Sequence, residues 1–120
     1  MAGLLLVPLA LAGCGGGTHY SKDRTAACLI RKGVTVMFPT DGIASANRGL
    51  GVMVAARNLN ITFGKSPDQA RELVREYAHG QFRSLGERRL SARIYRKANA
   101  VLAWDVPPAA ARGSVEHCLS

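Results

Sequence analysis

The chain has 120 residues, 48% of them hydrophobic, with 16 Lys and Arg against 8 Asp and Glu for a formal net charge of +8 at pH 7. That length excludes a second domain of ordinary size and leaves only a limited core. The positive balance favours anionic partners, namely phospholipid headgroups, wall polymers or nucleic acid, although a solvated arginine-rich surface accounts for the same number.

Residues 4–12 form an uncharged apolar run, long enough for the apolar part of a secretory signal and too short to span a bilayer core of about 30 Å. The run closes on Leu11-Ala12-Gly13-Cys14. These four residues resemble a bacterial lipobox, the site at which a lipoprotein precursor is acylated on cysteine and cut just before it. The start departs from the usual signal in carrying no basic residue, because the first charge is Lys22. The resemblance implies a signal peptide over residues 1–13, a palmitate-type lipid anchor on Cys14 and a location at the extracytoplasmic face of a cell membrane. More than one acyl chain is what turns marginal membrane binding into stable anchoring. The alternative is a free apolar tail that happens to end in cysteine.

Gly15-Gly16-Gly17-Thr18 cannot hold regular structure, so residues 14–21 read as a glycine-led tether spanning on the order of 15 Å. The remaining residues, 22–120, read as one globular domain. With Cys14 carrying lipid, Cys28 and Cys118 are left as an even pair, which an oxidising compartment would join into a disulfide across nearly the whole domain. Two buried free thiols are the other reading. A metal site is disfavoured by the lack of any C-x-x-C spacing.

Ala26, Ala27, Leu29 and Ile30 fall at near-helical spacing over residues 22–32, with Asp23 or Thr25 as the expected cap and Gly33 as the stop. Residues 34–38 are β-branched and apolar and predict a strand halted by Pro39. Residues 39–51, with three glycines and little periodicity, predict an exposed loop. The continuous apolarity of residues 52–56 predicts a strand covered on both faces, and the alternation of Leu59, Ile61 and Phe63 with polar residues predicts a half-exposed one. Whether these are one bent strand or a hairpin turning at Arg57-Asn58 is left open.

Ser66-Pro67-Asp68-Gln69 supplies an N-cap, a proline suited to the first turn and a capping-box spacing. Ala70, Leu73, Val74, Tyr77, Ala78, Phe82 and Leu85 then repeat at three and four, predicting a long amphipathic helix that bends or ends early at Gly80. Glu72 and Glu76 are expected to pair with Arg75 and Arg71. Residues 90–96 alternate, residues 99–106 are apolar and contain Trp104, and the two predict a β-hairpin. Residues 109–119 predict a short terminal helix that returns Cys118 to Cys28.

The order predicts an α+β fold. It would have a small antiparallel or mixed sheet of four to five strands, one long helix on a face, and short terminal helices joined by the disulfide. Cys28-Leu29 in the first helix, the strand residues Gly33-Val34-Thr35-Val36, Asn99-Ala100-Val101-Leu102 and the closing Val115-Glu116-His117-Cys118-Leu119 together resemble small exported α+β domains of actinobacteria. That group implies the architecture and the disulfide, and no activity.

The sequence offers little to catalysis and no cofactor motif. His79 falls on the polar side of its helix and Asp105 marks the point where an apolar strand reaches water, so neither predicts a general base. Residues 83–97 hold Arg83, Arg88, Arg89, Arg93, Arg96 and Lys97 against Glu87 alone. Of these, Arg88, Arg89, Arg93, Arg96 and Lys97 form the candidate patch for an anionic ligand, and Tyr95 is the one aromatic that could join it. The expected function is a non-enzymatic, membrane-anchored binding module of the cell envelope. Its partner would be an anionic polymer, a headgroup layer or another envelope protein, and nucleic acid is disfavoured. The alternative is an enzyme or enzyme subunit whose site a partner chain completes.

Overall fold

A computed structural model describes residues 18–39, 42–43 and 48–120. The expected signal peptide, the lipobox with Cys14 and the glycines of the tether lie outside the described residues.

The elements are α1 (Lys22–Arg31), β1 (Thr35–Met37), β2 (Gly49–Val54), β3 (Arg57–Phe63), α2 (Pro67–His79), α3 (Glu87–Ser91), β4 (Ile94–Lys97), β5 (Ala100–Trp104) and α4 (Ala111–Glu116). The strands form one antiparallel sheet in the order β1-β2-β3-β5-β4. The fold is therefore α+β, as the pattern predicts.

Both helix starts follow from side-chain oxygens that accept backbone N–H groups left over in the first turn. In α1 the acceptor is Ser21 Oγ, 3.2 Å from Arg24 N, and not Asp23 or Thr25. Its far end closes with Gly33 at φ +78°, where Gly33 N donates to Ile30 O and Val34 N to Leu29 O. This is a Schellman closure, which favours glycine because any Cβ is strained at that φ. In α2, Ser66 Oγ accepts from Gln69 N, and Gln69 Oε1 accepts from Lys65 N at 2.6 Å. The helix stops at His79, yet Phe82 behind it is still buried. The apolar stripe outlives the helix because Gly80 lets the chain turn back onto the same cluster.

Several expected boundaries move. Gly49 and Leu50 belong to β2 and are buried, so the loop expected over residues 39–51 does not extend over 49–51. The two middle strands are a hairpin, and the turn is Ala55-Ala56 instead of Arg57-Asn58. Both alanines are left-handed, at φ 51° and 59°. Met53 is 46% exposed, so β2 is not covered on both faces. Residues 87–91 are helical and β4 begins only at Ile94, because the alternation from Leu90 is too loose to distinguish a helical turn from a strand. Arg71 pairs with Asp68, three residues earlier, and not with Glu76.

The alternation of the strands sorts the core into two clusters, one on each side of the sheet. Leu50, Val52, Leu59, Ile61, Leu102 and Trp104 face α1 and α4, where Ala26, Leu29, Val115 and Leu119 meet them. Val101 and Ala103 face the other way, against Ala70, Leu73 and Tyr77 of α2. On that side Thr62 Oγ1 and Tyr77 Oη share a buried hydrogen bond of 2.9 Å. Burial raises the Tyr77 pKa above its ordinary 10.0, and the bond from Thr62 only partly offsets this.

Cys28 in α1 and Cys118, just past α4, form the disulfide, with Cα atoms 5.3 Å apart and a sequence separation of 90. Beside it, Ser21 N donates to Ser120 O at 2.7 Å and Ser120 N to Thr25 Oγ1 at 3.3 Å. The folded body thus begins at Tyr20, two residues inside the stretch read as tether.

Candidate functional site

The five basic residues of the candidate patch do not come together as one surface. Arg88 and Arg89 stand exposed on α3 and, among the described residues, form no ion pair. Arg93 is half-buried and its guanidinium donates to the Asp105 carbonyl, tying the start of β4 to the end of β5. Arg96 and Lys97 lie at the opposite end of β4 and point to opposite faces, because strand neighbours alternate. Lys97 Nζ lies 3.6 Å from Glu116, which also accepts from Arg112 Nε at 2.7 Å. Two of the five charges are therefore committed to holding the fold, and Arg88 and Arg89 are the pair left on the α3 end.

Tyr95 does not join a basic strand face. It shares a face with Lys97, and the Arg112 guanidinium stacks 3.8 Å from its ring centre while its hydroxyl donates to Ala92 O. That contact is a packing device across the α4 side, and it occupies the ring face on which a ligand would stack. His79 is exposed, and Asp105 is exposed with its carboxylate accepting from Asn58 N at 3.0 Å and Asn58 Nδ2 at 3.3 Å. No group of three or more His, Cys, Asp or Glu among the described residues is placed to hold a metal ion.

An open groove of about 620 Å³ lies between α2 and α3, lined by Val74, Leu90, Ile94, Ser91, Glu87 and Arg88. Its apolar floor exists because Leu90 and Ile94 pack toward the α2 cluster without filling the space beside Val74. Arg88 and Glu87 stand at its rim. Such a groove can take a partner with an apolar face and an anionic group. The sequence hides it, since Leu90 reads as the start of a strand and the groove depends on α3 being helical.

Sequence reasoning also misses Asn99. It is wholly buried, its Oδ1 accepts from Tyr20 N at 2.7 Å, and its Nδ2 donates to both Tyr20 O and Gly64 O at 2.9 Å. Its own carbonyl accepts from Gly64 N at 2.7 Å. One side chain thus fastens the incoming chain, the end of β3 and the start of β5. Gly64 must be small there, because a Cβ would stand 3.1 Å from Ala70 N and 3.2 Å from Ser66 O.

Comparison with known proteins finds no matching family model, no matching curated protein and no matching solved structure.

Proposed function

We propose that this chain is an exported, lipid-anchored domain of the cell envelope, held to the outer face of a membrane through Cys14 and serving as a non-enzymatic binding module. The observation that carries the reading is the Cys28–Cys118 bridge, which closes a loop of 90 residues. Disulfides of this kind persist in oxidising compartments and are rare where thiols are kept reduced. The chain has three cysteines, so the bridge leaves Cys14 as the one thiol open to another chemistry. No described helix is long and apolar enough to cross a membrane, so attachment in this reading falls to the lipid.

The binding surface in this reading is the groove between α2 and α3 with Arg88 and Arg89 beside it. It lies at the Ile94 end of β4, about 15 Å along the strands from the Asn99 end where the chain enters the body. A body tethered at one end would therefore present the groove away from the anchor. The expected partner is an anionic envelope polymer or protein segment.

Intact mass of the protein taken from its native membrane fraction tests the anchor and the clasp together. The expected species begins at Cys14, carries added acyl mass and gains two hydrogens on reduction. A species that begins at Met1 with bare polypeptide mass, or one with all thiols free, overturns the reading. For the surface, replacing Arg88 and Arg89 by Gln is expected to weaken salt-sensitive binding to wall polymer by about tenfold. Unchanged binding removes the groove as the site.

A further inference from the structure

The sheet has one apolar edge that the core does not use. Phe38 is 59% exposed, Met37 48% and Met53 46%, all on β1, its exit or the adjacent strand. Register places Met37 opposite Gly51 and Met53 opposite Thr35, so the two methionines share a face. Phe38, one residue on from Met37, belongs to the other side. There the Lys22 ammonium, from the first turn of α1, sits 5.4 Å over the Phe38 ring. The apolar groups thus straddle an edge strand, and a long cationic side chain reaches over the aromatic.

The position of this edge narrows what covers it. Phe63 and Ala100 lie at the end of the sheet where Asn99 fastens Tyr20, and Lys22, two residues beyond Tyr20, reaches the Phe38 ring from there. Cys14 precedes Tyr20 by six residues, which reach at most about 20 Å. Any bilayer holding Cys14 is therefore within a short span of Phe38. The same end carries Arg24, Arg48 and Lys65, exposed and, among the described residues, without ion pairs. An exposed aromatic with basic neighbours matches the headgroup region of an anionic membrane, where rings sit at the interface and each nearby Lys or Arg adds attraction.

We infer that the β1 edge is a second membrane contact: Phe38, with Lys22 over its ring, enters the interface of an anionic bilayer while Arg24, Arg48 and Lys65 meet its headgroups. This deepens the anchoring reading and rests on it, since the tether sets the distance. Two attachments would fix the orientation of the body, with the α2–α3 groove directed away from the lipid.

The test uses the full chain with Phe38→Trp, purified from native membranes and reconstituted in vesicles of phosphatidylglycerol and phosphatidylcholine. Trp104 is fully buried, so the chain with Phe38 in place supplies the background emission. Lipids brominated near the headgroup are expected to quench the introduced indole at least about twofold, and the quenching is expected to fall in high salt or in pure phosphatidylcholine. Adding Arg24→Gln and Lys65→Gln is expected to reduce it further. Intact mass of the same sample reads the Cys14 lipid separately. An acylated chain whose introduced indole is not quenched overturns the edge contact and leaves the anchor standing. A chain without acyl mass whose introduced indole is quenched overturns the anchor and retains the edge contact. A dimer that shields position 38 from lipid shows that a second copy covers the edge and overturns the inference.

Discussion

The two faces of the sheet are held in different ways. On one, α1 is joined to the chain just past α4 by a disulfide and by the Ser21 N–Ser120 O bond, and α4 is joined to β4 by the Lys97–Glu116–Arg112 set with Arg112 stacked on Tyr95. On the other, α2 packs over β3, β4 and β5 with the short α3 beside it on β4, and Met37 and Met53 stay uncovered. A domain this small has few apolar side chains with which to build a core. Where the covalent clasp supplies stability, the opposite face is free to keep a groove and an apolar edge open.

The largest effect should come from breaking the clasped face. Replacing both Cys28 and Cys118 by Ser is expected to lower stability by about 4 to 5 kcal/mol in the chain-entropy estimate for a loop of this length. Urea unfolding with and without reductant measures it. Because domains of this size are commonly only about 5 to 10 kcal/mol stable, the double variant should be partly unfolded at 37 °C. A loss near 1 kcal/mol would show that the two faces are held about equally. Next in size, Asn99→Ala strips three side-chain hydrogen bonds and leaves buried Gly64 O without that donor, for an expected cost of about 3 kcal/mol. Hydrogen exchange at Tyr20 and Gly64 should speed up in that variant before exchange in α2 does.

The α2 face rests on smaller terms. Tyr77→Phe removes the bond to Thr62 Oγ1 and is expected to cost about 1 kcal/mol at pH 7. The same residue gives this face a pH signature. Folded Tyr77 titrates above 10.0, so it stays neutral after the unfolded chain's tyrosine has begun to ionise. Its contribution is complete below pH 10 and declines as pH rises through the folded value. Thermal melts of wild type and Tyr77→Phe should therefore run parallel below pH 10 and converge above it.

Much of this arrangement was legible in the sequence. Ser66-Pro67-Asp68-Gln69 announced α2, the period of Leu73, Val74 and Tyr77 announced its buried side, and the two cysteines announced the clasp. The failures share a cause. The Ala55-Ala56 turn was invisible because hairpins of this kind normally advertise themselves with Asn-Gly, and alanine is sterically strained at positive φ. The groove was invisible because Leu90 fits a helical turn and a strand equally well. The scatter of the basic residues was invisible because charge spacing along the chain says nothing about Glu116, 19 residues beyond Lys97, which claims that lysine. The turn can be repaired: Ala55→Asn with Ala56→Gly is expected to raise stability by about 1 kcal/mol, read as a higher urea midpoint at unchanged slope.

The smallest expected effect separates stability from binding most directly. Arg88 and Arg89 are exposed, sit on a five-residue helix and hold no ion pair among the described residues, so changing both to Gln should move stability by no more than about 0.5 kcal/mol. Arg93→Gln is the matched control. It removes one charge from the same segment, but it also frees the Asp105 carbonyl and loosens the join between β4 and β5, so it should cost about 1 to 2 kcal/mol. If the pair proves as costly as Arg93, α3 is part of the scaffold and its charges are not free to recognise a partner. If the pair is silent in the melt and polymer binding falls, the open face carries recognition and the clasped face carries the fold.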